Sequence, residues 1–118
     1  MAIVAHDMMT PQPIIGARAY YFRTVLHDHA DHVCSVFLSH IVNAMREKSV
    51  LLIDDRVVPE VGASDFTTAM DIGMMAQFGA MERSEEQFRN LLEPLGLKIV
   101  GVHEYGPGDR HIVEAVLA

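Results

Sequence analysis

The chain has 118 residues, half of them apolar, which is enough for one packed domain and too few for two. Lysine and arginine number 9 against 16 aspartates and glutamates, giving a formal net charge of -7 with both signs interspersed. The lack of a basic block argues against nucleic acid as a partner, and no apolar run is long enough to predict a membrane span.

The single cysteine, Cys34, excludes a disulfide framework and a thiolate metal centre. It is compatible with a reducing compartment. The N-terminal stretch "MAIVAHDMMTPQP" lacks the basic segment followed by an apolar segment that marks a secretory signal. The sequence therefore predicts one cytoplasmic domain over residues 1–118.

The first half of the chain predicts strands on either side of a helix. Residues 2–5 are compatible with a short strand, and residues 17–26, rich in aromatic and β-branched side chains, predict a longer one. Asp31 is expected to cap a helix that ends near Arg46. Residues 49–59 begin as a continuous apolar run, typical of a strand buried on both faces. The apolar stripe of the helix has helical spacing and consists of Cys34, Phe37, Leu38, Ile41, Val42 and Met45.

Two further helices are predicted in the second half. Residues 64–81 form a helical pattern that contains four methionines. Ser84 is expected to open the next helix, because Gln87 three residues later completes a capping box. This helix should end near Leu95, with Gly96 just beyond its last turn.

The chain finishes with two predicted strands, residues 97–105 and 111–118, joined by a glycine-rich turn. The order strand, helix, strand, two helices, strand, strand predicts an α/β fold. Its sheet should begin with parallel strands and finish with antiparallel ones.

Four sequence motifs, "YYFRTVLHDHADHVC", "LLIDDRVVPE", "ERSEEQF" and "GLKIV", closely resemble fungal and plant small-molecule O-methyltransferases at matching separations. That family methylates phenols and polyketides of secondary metabolism with S-adenosylmethionine (SAM). The resemblance implies a partial Rossmann-like class I methyltransferase fold, covering the C-terminal half of the sheet. The family's helical dimerisation domain and glycine-rich cofactor turn have no counterpart here. Gly106 and Gly108 lie between two antiparallel strands, which is the wrong context for that turn.

The resemblance also implies an acid–base site. His27, in the "HD" pair after the predicted strand, matches the family's general base, and its ordinary pKa near neutrality suits proton abstraction. Asp55 matches an orienting acid that is usually glutamate, and Glu82 matches a second one. The alternative for His27 is a histidine at a strand end that merely caps the next helix.

A metal site is the other interpretation of the histidine-rich corner at His27, His29 and His32. Histidine is a common metal ligand. The i, i+2, i+5 spacing, however, straddles a strand–helix corner and does not place three imidazoles on one face, so we expect no metal there. His29 stands where the family usually has tryptophan, and His32 is expected to be a solvated residue at the helix start.

The remaining site residues are implied by the resemblance alone. Asp7 and Met8 match positions that contact the adenine end of the cofactor, and Arg23 matches a basic position that reaches it. These residues are equally compatible with an ordinary surface, and we interpret them as a vestigial cofactor site. Four residues are expected to line the acceptor pocket: Met70, Met74, Met75 and His29. The three methionines are equally compatible with core packing.

Three functions remain open. The favoured one is a cofactor-independent acid–base enzyme that isomerises, dehydrates or cyclises a phenolic or polyketide intermediate with His27; some family members are thought to have acquired ring-closing chemistry. The second is a SAM-dependent O-methyltransferase whose cofactor half is supplied by assembly, and the third a non-catalytic partner of a full-length relative. Because residues 17–26 would leave an open strand edge, we expect a homodimer through that strand.

Overall fold

The computed structural model describes residues 3–58, 82–106 and 110–118, so the predicted helix at 64–81 lies outside the described residues. Two single-turn 3-10 helices, Leu26–Asp28 and Glu93–Leu95, complete the secondary structure of this part of the chain. The strands and helices are, in chain order, β1 (Ala19–Arg23), α1 (Asp31–Ala44), β2 (Val50–Val58), β3 (Arg83–Ser84), α2 (Glu85–Leu92), β4 (Leu97–Gly106) and β5 (Arg110–Leu117).

The sheet has the order β1-β2-β5-β4, and the short β3 pairs separately with the end of β2. β1 and β2 run parallel, whereas β5 is antiparallel to both β2 and β4. This confirms the predicted α/β pattern with a parallel start and an antiparallel finish. β2 has a strand on each side, which explains the continuous apolar run at its start, residues 50–53.

Alternation along β2 sends its side chains to two different environments. Leu51, Ile53 and Asp55 are almost completely buried and share a side of the sheet, while Leu52 and Asp54 point to the opposite side. The first side belongs to the core that α1 and α2 complete. The adjacent residues Asp54 and Asp55 therefore point to opposite faces of the sheet.

α1 follows the prediction closely, with a correction at its start. Its N-cap is Ala30, not Asp31, and no side chain caps it. Asp31 is instead the first helical residue, and its carboxylate binds Arg83. The helix ends at Ala44 because Met45 takes an extended conformation. Of the predicted stripe, all members are buried except Val42, which is partly buried.

The expected strand at 2–5 is wrong for the described residues 3–5, which have no strand partner and are exposed. A strand gains its stability from neighbours, and none is available at this place. β1 is also shorter than predicted. At Thr24 the backbone adopts φ 53, a left-handed conformation that ends the strand and turns the chain into the 3-10 helix.

α2 starts as predicted but ends at Leu92, three residues before the predicted end, and a 3-10 turn continues the chain to Leu95. The Ser84 hydroxyl accepts a hydrogen bond from the Gln87 N–H at 3.2 Å, and the Gln87 side chain accepts one from the Ser84 N–H at 2.8 Å. After the second 3-10 turn the chain reverses at Gly96, whose φ of 89 favours glycine. No helix among the described residues is long and apolar enough to cross a membrane.

Candidate active site

His27 lies in the 3-10 turn between β1 and α1, at the carboxyl end of a parallel strand. The left-handed Thr24 donates its N–H to the Asp54 carbonyl at 2.9 Å, which ties the start of this turn to β2. The next residues fold the imidazole back over the end of β2. The ring is buried, with only 9% of its side-chain surface exposed. This end of a parallel pair is where α/β sheets ordinarily place their ligand sites.

The structure brings His27 together with both predicted acids. The His27 Nδ1 atom lies 3.2 Å from Glu82 Oε1 and 3.4 Å from Asp55 Oδ1. Asp55 is fixed by a further contact, because its Oδ2 accepts a hydrogen bond from the His27 backbone N–H at 3.2 Å. The shorter aspartate in place of glutamate thus still reaches the imidazole directly, because it also bonds to the main chain of the same turn.

The second ring nitrogen of His27 faces another carboxylate. Its Nε2 lies 3.2 Å from Asp28 Oδ1, and the Asp28 side chain is partly exposed. A ring with carboxylates at both nitrogens is most stable as the imidazolium, which donates from both. A substrate hydroxyl that reaches Nε2 must therefore displace Asp28, whose exposure leaves room for the side chain to turn away.

The pKa values of His27 and Asp55 follow from these contacts. The hydrogen bond to Glu82 raises the pKa of His27 above its ordinary 6.5; burial opposes this shift and the Asp55 charge adds to it. Burial raises the pKa of Asp55 to about 6, against the lowering effect of His27. Both pKa values are higher in the folded chain than in the unfolded one. Their stabilising contribution is therefore complete at low pH and is lost as pH rises, first through the Asp55 range and then through the folded pKa of His27.

Arg83 holds the turn that carries His27. Its buried guanidinium donates to the Leu26 carbonyl at 3.0 Å, to the His29 carbonyl at 2.9 Å and to Asp31 Oδ1 at 2.8 Å. The two carbonyls flank the His27–Asp28 pair on either side. Arg83 therefore fixes the imidazole through the main chain, while its neighbour Glu82 contacts the ring itself.

A second polar cluster occupies the opposite face of the sheet around Asp54. This buried carboxylate accepts hydrogen bonds from the hydroxyls of Tyr21 and Tyr105 and from Arg110 Nη2, the last at 2.8 Å. Burial acts to raise the pKa of Asp54, but the hydrogen bonds from Tyr105, Tyr21 and Arg110 outweigh it, so the pKa is lowered. The cluster joins β1, β2, β4 and β5 across the face that lacks α1 and α2.

The other histidines of the corner do not join His27. The His29 ring packs edge-on against Phe37, with centroids 5.8 Å apart, and the exposed His32 lies in the first turn of α1. The group of potential metal ligands that the described residues do bring together is His27, Asp55 and Glu82. This group differs from the three histidines considered from the sequence, and its members come from the 3-10 turn, from β2 and from the residue before β3.

The residues expected at the cofactor lie in the loop before β1 and at the end of β1. Asp7 is exposed in the loop before β1, where its carboxylate accepts the Met9 N–H at 3.0 Å. Met8 is half-buried and lines a cavity of about 190 Å³ together with Tyr21 and Phe22. Arg23 is exposed, with its Nε 3.8 Å from Asp54 Oδ2. The expected pocket residues Met70, Met74 and Met75 lie outside the described residues.

Sequence reasoning missed two residues that the site depends on, Arg83 and Asp28, and it missed the separate cluster that Asp54 forms on the opposite face of the sheet. Arg83 follows Glu82 in the "ERS" motif. Because successive side chains point to opposite sides of an extended chain, different roles could have been predicted for the two residues. Asp28 stood beside His27, but only the folded turn brings its carboxylate to Nε2. Asp54 stood beside Asp55, and the period of two along β2 was the signal that the pair serves both faces.

The sequence matches a known protein family. The model of the O-methyltransferase domain matches residues 1–98, and the chain therefore belongs to that family. Among curated relatives, the methyltransferase cfoC of Aspergillus candidus is 44% identical over 115 residues, which covers 97% of this chain and 29% of that protein. The chain thus spans less than a third of the length of that relative.

Solved structures show the same fold. The complex of LepI with SAM superposes with a TM-score of 0.92 at 36% identity, covering 96% of this chain and 29% of that one. A pericyclic reaction enzyme gives the same values. OxaC in complex with SAH and oxaline has a TM-score of 0.86 at 40% identity, again over 96% and 29%. The fold is therefore that of class I methyltransferases, of which this chain matches a part.

We expect Glu82→Gln to lower the pKa of His27 more than Asp55→Asn does. The charged hydrogen bond to Glu82 is the largest contribution that raises this pKa, whereas Asp55 acts through its charge. The measurement is an NMR titration of the His27 ring in both variants, with the exposed His32 as an internal reference. A larger drop for Asp55→Asn would show that Asp55 is the principal partner of the imidazole.

We expect Arg83→Lys to destabilise the chain by about 3 kcal/mol, because a lysine cannot reach the three acceptors that the planar guanidinium serves. Denaturant unfolding measures the effect. Arg89→Lys is the matched control: Arg89 is exposed and only forms an i, i+4 pair with Glu85, so its replacement should change stability by less than about 0.5 kcal/mol. Equal effects in the two variants would contradict the role assigned to Arg83.

Proposed function

We propose that this chain forms the proton-accepting part of a SAM-dependent O-methyltransferase acting on a phenolic or polyketide secondary metabolite. The observation that supports this most directly is the buried contact of His27 Nδ1 with Glu82 and Asp55, while Nε2 faces only the partly exposed Asp28 and would accept a proton once that side chain turns aside. The relatives add to the support, since they include named methyltransferases and structures that hold SAM or SAH. From the sequence alone, the cofactor-independent enzyme was preferred over the SAM-dependent methyltransferase, and the present proposal reverses that order.

The proton transfer follows from the geometry of the ring. In the neutral tautomer, Nδ1–H donates to Glu82 Oε1 and the Nε2 lone pair is available once Asp28 turns aside. The substrate hydroxyl then gives its proton to Nε2. Glu82 and Asp55 stabilise the imidazolium that forms, which raises the basicity of the ring. When bound, SAM supplies the methyl group that the resulting oxyanion takes.

The described residues fit the cofactor only in part. The cavity beside Met8 is lined mainly by aromatic and apolar side chains, including Tyr21, Phe22 and Phe37, which suits a flat ring. At about 190 Å³ it is smaller than the pockets that enclose whole ligands of this size. The chain matches only 29% of the length of a relative such as cfoC. The remaining contacts to SAM would come from a segment outside that matched part.

A cofactor-independent acid–base enzyme is the second candidate. The pericyclic reaction enzyme that shares this fold is the observation that favours it. The same imidazole between two carboxylates can move a proton within an isomerisation, dehydration or ring closure without any methyl donor. The site is equally suited to both reactions, so the requirement for SAM decides between them.

The test is a product assay on the purified chain with a panel of phenols and polyketides, with and without SAM. A methylated product that requires SAM supports the first proposal, and a rearranged product without SAM supports the second. His27→Gln should lower either activity by about 10²- to 10⁴-fold, because it removes general-base catalysis. His32→Gln, at the exposed start of α1, is the control. Unchanged products with His27→Gln would remove the base role of His27, whereas the absence of any product from the wild-type chain would leave the non-catalytic partner.

We also propose that the open edge of β1 pairs with a second copy of the chain. Among the described residues, β1 pairs with β2 alone, and Tyr21 on it is half exposed. The Arg18 carbonyl and the Thr24 N–H point to β2, so in the alternating ladder the Tyr21 N–H points to the open edge. An unpaired edge of this kind is a template for another strand.

Light scattering should therefore show a dimer that Tyr21→Pro dissociates, since proline removes the edge N–H without taking a bond from the β1–β2 ladder. Tyr21→Ala is the matched control, because it loses the same side chain and keeps the N–H. A wild-type monomer, or equal dissociation by both variants, would argue against pairing through β1.

A further inference from the structure

We infer that two copies of the chain meet through β1 in one antiparallel register, in which Tyr21 of each copy lies directly opposite Tyr21 of the other. The inference rests on the pairing proposed above and adds to it a two-fold axis, a register and a set of side-chain contacts. A two-fold axis across the edge runs the two strands in opposite directions and requires a self-complementary surface. The sequence of β1, "AYYFR", provides such a surface.

The hydrogen-bonding groups of β1 alternate along the strand. The parallel ladder with β2 uses the Arg18 carbonyl and the Thr24 N–H. Ala19, Tyr21 and Arg23 therefore direct their N–H and C=O groups to the other edge, where the described part of the chain supplies no partner strand. Opposed residues of an antiparallel pair exchange both bonds. Pairing Ala19 with Arg23, and Tyr21 with Tyr21, satisfies all of these outward groups at once.

The ends of β1 favour this register over its neighbours. A pairing centred on Tyr21 opposes all five residues of the strand. A centre nearer Arg23 brings the two guanidinium groups together, and like charges that face each other across strands are destabilising. It also runs into Thr24, whose φ of 53 ends the strand. A centre nearer Ala19 places Arg23 opposite residues that precede β1.

The side chains on the Asp54 face of β1 are complementary in this register. Ala19, Tyr21 and Arg23 are all exposed. Arg23 of one copy lies opposite Ala19 of the other, whose methyl group leaves room above it. The guanidinium then reaches its diagonal neighbour, the ring of Tyr21 in the other copy. A cation over an aromatic ring is stabilising, and the symmetry repeats the contact.

The cluster around Asp54 prepares Tyr21 for this contact. The tyrosine is 53% exposed, yet its hydroxyl is held by the buried carboxylate of Asp54, which Tyr105 and Arg110 also hold. A side chain that is already fixed loses little conformational entropy on binding. Arg23 has more freedom, because 68% of its side-chain surface is exposed and its Nε lies 3.8 Å from Asp54 Oδ2. It can therefore reach across the axis.

The opposite face of β1 is aromatic as well. The cavity of about 190 Å³ is lined by the consecutive residues Tyr20, Tyr21 and Phe22, so it borders the strand. Phe22 is half-buried and packs on Phe37, with ring centroids 5.5 Å apart. In the inferred register, Phe22 of each copy lies opposite Tyr20 of the other. Aromatic side chains thus meet across the axis on both faces of the joined sheet.

The test is cross-linking of variants with one added cysteine by a short bismaleimide. Tyr21→Cys should form a covalent dimer, because opposed Cα atoms of such a pair lie about 5.5 Å apart. Ala19→Cys and Arg23→Cys should each fail alone, since identical positions are then roughly 13 Å apart along the strands. An equimolar mixture of these two variants should cross-link. Cys34 is fully buried, so the wild-type chain should not react.

The cation–π contact is tested by Arg23→Gln. This variant should raise the dissociation constant of the dimer about 10-fold in analytical ultracentrifugation, because the symmetry removes the contact twice. Arg89→Gln is the matched control, since Arg89 is partly exposed on α2 and pairs with Glu85. Equal effects of the two variants would contradict the contact between Arg23 and Tyr21.

The outcomes separate the register from the pairing itself. A dimer in which Tyr21→Cys does not cross-link, or in which Ala19→Cys cross-links alone, would overturn the register and leave the proposed dimer in place. A monomeric wild-type chain would overturn both. Circular dichroism checks that each variant folds. If Tyr21→Cys does not fold, the mixture of Ala19→Cys and Arg23→Cys decides the register by itself.

Discussion

The rest of the site depends on the hydrogen bonds that the buried guanidinium of Arg83 donates. It binds the carbonyls of Leu26 and His29, on either side of His27, and also the carboxylate of Asp31. A 3-10 turn has few hydrogen bonds of its own, so its shape needs support from outside. Because Arg83 follows Glu82 directly, two adjacent residues at the start of β3 both fix the main chain of the turn and supply a carboxylate to the ring.

The pair Asp54 and Asp55 gives β2 a polar residue on each face of the sheet. Asp55 faces the helices and joins His27, whereas Asp54 collects two tyrosines and Arg110 on the other face. The same burial has opposite outcomes for the two carboxyls. Hydrogen-bond donors lower the pKa of Asp54, while Asp55, with fewer donors and a second carboxylate nearby, has its pKa raised to about 6. A carboxyl of that kind is suited to share a proton with the imidazole beside it.

The proposed base depends on which ring nitrogen of His27 carries the proton. As a base, His27 keeps its proton on Nδ1, toward Glu82, and accepts another at Nε2 once Asp28 turns aside. The carboxylates beside Nδ1 stabilise the imidazolium and so raise the basicity of the ring.

The sequence by itself determined the elements that depend on local signals. These are the α/β order, the buried β2, the stripe of α1, and the start of α2 at the capping box of Ser84 and Gln87, because periodicity and capping act within a few residues. The acids Asp55 and Glu82 came from family motifs. Only the tertiary structure decided that Arg83 clamps the turn, that Asp28 meets Nε2, that Asp54 serves the other face and that residues 3–5 form no strand. Those outcomes depend on which distant segments meet, and contacts between residues 26 and 83 leave no periodic trace in the sequence.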